Sequence, residues 1–336
     1  MKHPWILALL VLVSGALALD YPQALQRAEE RPPVVTARLQ LQDARDQLAR
    51  TESDPLALKL DRLKARQAVE LAEAQLRLAR IQAQAEISAA YTQVLDAEAQ
   101  RELAREALAV AEKALAISRL RYEKGGATGQ ELTQAELGVA DAQNRLKQAE
   151  EGAALARSRL ASLLDGLTEG EPLAPAPELL VPTWEEVEAA LARHPDALRA
   201  RQGVELARAA RDLLDPSYAP LAQIESAELA IERAQNGLRE AERGLRLRAE
   251  ARWQELDAKR RALELGEQKL AQAEEDLSIA RARYEAGLVS EFTLMQAELK
   301  ATQARVERDV AYHAYLGAAW SLAESVALPL EVAHAQ

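Results

Sequence analysis

Few residues in this chain have the type and spacing that catalysis or metal binding needs. There is no cysteine, so thiolate nucleophiles, disulfides and cysteine-ligated zinc have no donor. The four histidines, His3, His194, His313 and His334, are scattered and form no HExxH or His-x-His pair, which leaves no ligand set of the usual spacing for a metal. No GxSxG elbow, Walker A loop or GxGxxG turn occurs. The Arg- and Glu-rich stretches carry i,i+4 spacings, which place opposite charges on solvated helix faces for about 0.2–0.5 kcal/mol per pair. The net charge of −11, with no concentrated basic run, argues against a nucleic-acid partner. The chain is expected to be no enzyme and to need no cofactor or metal.

One phrase, however, is written twice. RYEKGGATGQELTQAEL, Arg121 to Leu137, returns 162 positions later as RYEAGLVSEFTLMQAEL, Arg283 to Leu299, with nine of seventeen positions identical and no gap. Gly125 and Gly287 each follow an Arg-Tyr pair at the end of a helical pattern, where glycine supplies the left-handed cap. Thr128 and Ser290 then stand where a new helix needs its N-cap. Glu131, three residues after Thr128, completes a capping box, whereas Thr293 takes that place after Ser290 and leaves the second box without its carboxylate. Each phrase predicts a helix–turn–helix reversal. Capping alone does not explain why Tyr122, Gln134 and Ala135 recur as Tyr284, Gln296 and Ala297.

The elements that hold these turns are delimited by proline. None falls between Leu56 and Glu171 or between Leu221 and Leu328, and a proline inside a helix costs about 3 kcal/mol. Two long helices are therefore expected, roughly residues 57–122 and 221–284, each about 65 residues and about 100 Å long at 1.5 Å per residue. Before each lies a helical pattern ending at Asp54-Pro55 or Asp215-Pro216, and after each glycine phrase a shorter helix runs to about Leu164 or Ala327. Each half reads as a long hairpin whose second rail is two shorter helices end to end. Alanine at roughly a fifth of the chain, against 4% aromatics and a single Phe, favours close-packed rods over a globular core. On the first long helix, Leu103, Ala107, Val110, Ala114 and Ile117 form one seam, and Ala104, Leu108, Ala111, Leu115 and Ser118 a second beside it. Two seams imply two neighbours, as in a sheet or tube of helices. In the second half Leu270, Ala273, Leu277, Ala280 and Tyr284 form one clean seam, while Lys269, Gln272 and Asp276 wet the other.

The predicted organisation is a signal peptide over 1–18, a first helical repeat over 19–164, a Gly/Pro-rich linker over 165–182, a second repeat over 183–328 and a tail over 329–336. The signal peptide rests on Lys2 and His3, the apolar run Trp5 to Val13 and the Ala16-Leu17-Ala18 cleavage pattern. Export to the periplasm or outer membrane is the expectation.

The doubled phrase R-Y-x-x-G-x-x-[ST]-x-x-[DE]-L-x-x-A resembles the periplasmic-tip motif of the TolC family of outer membrane efflux proteins, which occurs once in each of that family's two repeats. WEEVEAALARHPDALRA, Trp184 to Ala200, is similar to the family's repeat opening, and YPQALQRAEERPPVVTA, Tyr21 to Ala37, is a weaker copy. The resemblance implies an all-α protomer of two tandem antiparallel coiled-coil hairpins, twelve long helices forming a tube in a homotrimer, and a passive conduit for efflux transmembrane transport. It also implies docking of a periplasmic adaptor, itself bound to an inner-membrane pump, on the tip residues Arg121, Tyr122, Gly125, Gly126, Thr128, Glu131, Arg283, Tyr284, Gly287, Leu288 and Ser290. The departures are as informative. Family members carry two barrel strands per repeat where this chain has only RTESDPLAL and LLDPSYAP, too short for two membrane strands of about 9–11 residues each. The acidic tip position is Glu131 in the first repeat and Thr293 in the second. A barrel-less periplasmic scaffold or spacer derived from the same family is the alternative reading.

Overall fold

The computed structural model describes residues 19–164 and 172–332. The expected signal peptide, the first part of the linker and the end of the tail lie outside these residues. The chain begins with α1, Tyr21–Gln26, a 3-10 turn, Arg27–Glu30, and α2, Pro32–Ser53. The first long helix, α3, is Lys59–Glu123, and α4, Gly129–Leu163, returns from it. A short strand β1, Leu179–Leu180, precedes α5, Trp184–Leu191, and α6, Pro195–Asp212. The second long helix, α7, is Leu221–Glu285, followed by α8, Glu291–Val326, and strand β2, Glu331–Val332. Both long helices contain 65 residues, so each rises about 100 Å.

Local chemistry sets these boundaries. Between α2 and α3, Asp54 Oδ1 accepts from the Leu56 N–H at 2.9 Å, and between α6 and α7, Asp215 Oδ1 accepts from the Ser217 N–H at 2.8 Å. Each Asp-Pro site is thus a tight side-chain-closed turn, and neither contains a strand. Pro195 opens α6 at its first turn, where a missing N–H costs nothing, and the His194 ring accepts from the Asp196 N–H at 3.2 Å. Burial is the main cause that lowers the pKa of His194, so the neutral accepting ring is favoured.

The rails pack as expected from the seams. α3 lies against α2 and α4 on one side and against α6 and α8 on the other, and α7 lies against α6 and α8. The order across the molecule is therefore α2 and α4, then α3, then α6 and α8, then α7. Several polar ties stitch the halves along α3. Gln67 Nε2 donates to Glu205 Oε2 at 2.8 Å, His313 Nδ1 lies 2.6 Å from Asp96 Oδ1, and Lys113 Nζ lies 2.5 Å from Glu291 Oε2. Between α7 and α8, a Cβ on Gly266 would stand 3.3 Å from Arg308 Cα, so the absence of a side chain there permits the spacing of the two helices.

The scarce large side chains gather at a waist midway along the rods. Tyr21 and Tyr91 are fully buried, edge to face at 5.3 Å between centroids. Tyr21 shares a 2.7 Å hydrogen bond with Ser88 and accepts from Trp320 Nε1 at 3.0 Å. The Tyr91 hydroxyl sits 2.8 Å from the Leu19 carbonyl and 2.7 Å from the Ala174 carbonyl, sharing its proton between them. Leu19 also pairs its backbone with Pro172 and Ala174, so the segment entering the first half is pinned to the one entering the second. Tyr312 donates to the Pro177 carbonyl at 2.7 Å, and burial pushes its pKa up to about 12. β1 pairs antiparallel with β2, Leu179 opposite Val332, which ties the tail to the same waist. Each such fully buried apolar side chain contributes about 1.5–3 kcal/mol, so a chain poor in aromatics places them where α1, α3, α5 and α8 all meet.

The close approach at Gly266 gives a paired prediction. Gly266→Leu forces α7 and α8 apart and lowers stability by about 1–3 kcal/mol. Gly244→Ala, where an added Cβ meets nothing within 4 Å, raises it by about 0.5–1 kcal/mol. Thermal unfolding of the two variants beside the parent checks both signs.

Candidate functional site: the two hairpin tips

The glycine phrases stand at the ends of both hairpins and have nearly the same backbone. Gly125 has φ of +72° and Gly287 of +68°, a region that an L-residue enters at a cost of about 1–2 kcal/mol. At the first tip the Gly126 N–H donates to the Arg121 carbonyl at 2.7 Å and the Gly125 N–H to the Tyr122 carbonyl at 2.9 Å. At the second the Leu288 N–H donates to Arg283 at 2.8 Å and the Gly287 N–H to Tyr284 at 2.9 Å. This is the 6→1 and 5→2 pairing of a Schellman cap, made twice. The paired glycines thus carry the conformational requirement, and Arg121, Tyr122, Arg283 and Tyr284 supply the carbonyls.

The N-caps differ as the sequence indicates. Thr128 Oγ1 accepts from the Glu131 N–H at 3.2 Å while Glu131 Oε2 accepts from the Thr128 N–H at 2.6 Å. At the second tip Ser290 Oγ accepts from the Thr293 N–H at 3.2 Å and shares a 2.9 Å hydrogen bond with the Thr293 hydroxyl. At the capping position one tip thus carries a carboxylate and the other a neutral hydroxyl. The Thr128 hydrogen bonds, backbone first, lower the pKa of Glu131, with a smaller contribution from Arg121 in the same direction.

Each sequence-selected tip residue is exposed on its turn, including Tyr122, Tyr284 and Leu288. Arg121, Glu131 and Gln134 line one shallow hollow with Ser118, Ala127 and Ala135, and the Tyr122 ring packs beside the Gly129 backbone. Gln134 and Ala135 therefore recur on the face that flanks the turn rather than in the turn itself. Sequence reasoning missed the Lys113–Glu291 pair, which needs the register between two halves rather than a local pattern. That pair also sets a step. Lys113 lies twelve residues before Gly125, and Glu291 four residues after Gly287. Counted to each glycine from the Asp96–His313, Gln82–Glu324 and Lys113–Glu291 contacts, the first tip projects roughly 5–12 Å beyond the second at 1.5 Å per residue.

Chemically, this site can present backbone, hydroxyl and apolar groups to a partner. Among the described residues no cluster of three or more His, Asp or Glu could hold a metal, and no helix is long and apolar enough to cross a membrane.

The unequal caps give a pH prediction. A carboxyl whose folded pKa is depressed contributes above its ordinary value of 4.5 and loses that contribution as the pH falls through the folded value. Amide exchange at Thr128, taken relative to Ser290, therefore accelerates as the pH is lowered from about 5 to about 3. A ratio that stays flat across that window contradicts the assignment.

No family model matches the sequence, and none of the curated proteins does. Solved structures do match in fold. A structure of CusC, described for its conformational changes on folding and transmembrane channel formation, shares 17% identity over 91% of this chain and 95% of that chain, with a TM-score of 0.65. The outer membrane protein VceC of Vibrio cholerae shares 18% identity over 91% of this chain and 96% of that chain, with a TM-score of 0.61. The CmeC outer membrane channel of Campylobacter jejuni shares 12% identity over 91% and 85%, with a TM-score of 0.62. The chain has the fold of TolC-family outer membrane channels, in a form that is 85% helical and contains no β-barrel among its described residues.

Proposed function

We propose that the protein is a non-catalytic conduit component of a multipartite export system, assembled as a homotrimer at the outer membrane. It would dock a periplasmic adaptor on its hairpin tips, and through that adaptor an inner-membrane pump. The observation that carries this reading is the pair of hairpins lying side by side, each built on a 65-residue helix and reversed by a glycine cap at the same end of the molecule. Such a protomer is a slab of helices with two unlike edges, α2 and α4 on one side and α7 on the other. Joining one edge to the other edge of a second copy repeats a head-to-tail contact, which closes into a ring when the rotation permits. Both edges carry exposed apolar residues that such a contact would cover: Leu39, Leu137 and Leu155 on α2 and α4, and Leu229, Leu247, Leu265 and Ile279 on α7. The two halves are then tandem copies of one unit, and the tube wall is built from both.

Docking would use Arg121, Tyr122, Gly125, Gly126, Thr128 and Glu131 at the first tip, with Arg283, Tyr284, Gly287, Leu288 and Ser290 at the second. Opening would proceed by repacking of helices about the two glycine turns. A second reading, a barrel-less periplasmic scaffold or spacer, is favoured by one observation: the Asp54-Pro55 and Asp215-Pro216 turns hold no strand. Detergent extraction and mass measurement of the native protein separate the two readings, since a trimer that fractionates with outer membranes supports the conduit and a freely soluble monomer defeats it.

Because the first tip projects further, it meets a partner first. Gly125→Leu is expected to reduce adaptor capture at least tenfold and Gly287→Leu by a smaller factor, with particle mass unchanged in both. Unaltered capture by the double variant would show that the tips are not the docking surface.

A further inference from the structure

The waist uses every group of Leu19. Its N–H donates to the Pro172 carbonyl at 2.9 Å, and its carbonyl accepts from the Ala174 N–H at 3.1 Å and the Tyr91 hydroxyl at 2.8 Å. Its side chain is buried in the main core. Asp20 follows, and its carbonyl accepts from the Ala24 N–H at 3.0 Å in the first turn of α1. Loss of Leu19 would strip the Pro172 carbonyl and the Ala174 N–H of these partners and take one acceptor from Tyr91. Loss of Asp20 as well would take that first hydrogen bond of α1. Immediately before Leu19 stand Ala16 and Ala18, small residues in the third and first places before a cut of the A-x-A type. The sequence pattern and the hydrogen bonding, two independent signals, meet at one peptide bond.

We propose that a signal peptidase hydrolyses the Ala18–Leu19 bond and that the α-amino group it releases fastens the waist, donating to the Pro172 carbonyl in place of the amide. Water adds across the bond. Its oxygen goes to the Ala18 carbonyl carbon, leaving a carboxylate on the departing peptide, and both its protons go to the Leu19 nitrogen, leaving an ammonium. An ammonium offers three donors where the amide offered one, and a charge in such a place has to be paired or reach water. Pro172 and Asp20 are exposed, so the site borders solvent. The Asp20 carboxylate also lies near enough to act on Tyr91, whose pKa is raised by burial first and by that charge second, so a negative group stands beside the new positive one. A cut one residue earlier would carry the charge past Pro172, and one residue later would delete the pin. Processing thus fixes where the entry to the first half meets the segment leading into the second. The inference rests on export alone and holds for a conduit and a spacer alike.

The test is to express the full chain with its leader in a Gram-negative host, recover the exported protein, and read its first residue by mass spectrometry. The expected N-terminal sequence is Leu-Asp-Tyr-Pro. The same protein is then labelled with an N-hydroxysuccinimide ester at about pH 7, where an α-amine of ordinary pKa reacts ahead of lysine, and the N-terminal peptide is quantified. The Leu19 amine should label at least tenfold more slowly in the native protein than in urea. A variant with one glycine inserted between Ala18 and Leu19 keeps the Leu19 amide in place and frees the amine, so it should lose that protection at unchanged helicity. Tyr91→Phe, which releases the Leu19 carbonyl, should lose part of it. An exported protein that begins at any other residue overturns the inference and leaves the export reading standing, as does a native Leu19 amine that labels as fast as in urea. A chain that keeps residues 1–18 and stays in the cytoplasm overturns both.

Discussion

The structure depends on two residues whose backbones turn left-handed. Gly125 and Gly287 each let a 65-residue helix end in a Schellman cap and reverse within a few residues, so the return helix starts beside the outgoing one. Without that reversal α3 and α7 would keep only α2 and α6 as partners in their own half, and their tip-side stretches would have none. With it, small side chains allow the rails to approach closely, and a chain with 4% aromatics can bury enough surface to stand as a rod. The few large side chains are then free to collect at the waist, where they lock the entries of both halves together through Tyr21, Tyr91 and Trp320.

Much of this was legible because it is local. The Pro-free runs gave the long helices, Asp-Pro gave the upper turns, and glycine followed by Thr or Ser gave the lower ones. The full and the incomplete capping boxes both appear where Glu131 and Thr293 indicate. Two adjacent seams on α3 gave its two neighbours. What was not legible depends on register between distant segments. The Lys113–Glu291 pair, the Asp96–His313 contact and the 3.3 Å approach at Gly266 each join two helices whose relative shift no local pattern encodes. The β1–β2 pair joins two-residue segments about 150 positions apart, too short to show alternation. Leu19, at the edge of an expected cleavage site, turned out to be a structural residue pinned by Tyr91.

The two tips are alike in backbone and unlike in charge and height. At the third position of the return helix the projecting tip has a carboxylate, Glu131, and the recessed one a hydroxyl, Thr293, so the two tips of a protomer are not equivalent. At the other end, the Asp-Pro turns expose Leu56 and Tyr218.

The most direct test of the central claim, that these paired rods lie side by side around a common axis, is electron microscopy of the native particle extracted in detergent. The account predicts a hollow, threefold cylinder about 100 Å long, with helical walls. A solid rod, or a compact body with no dimension near that length, would contradict it.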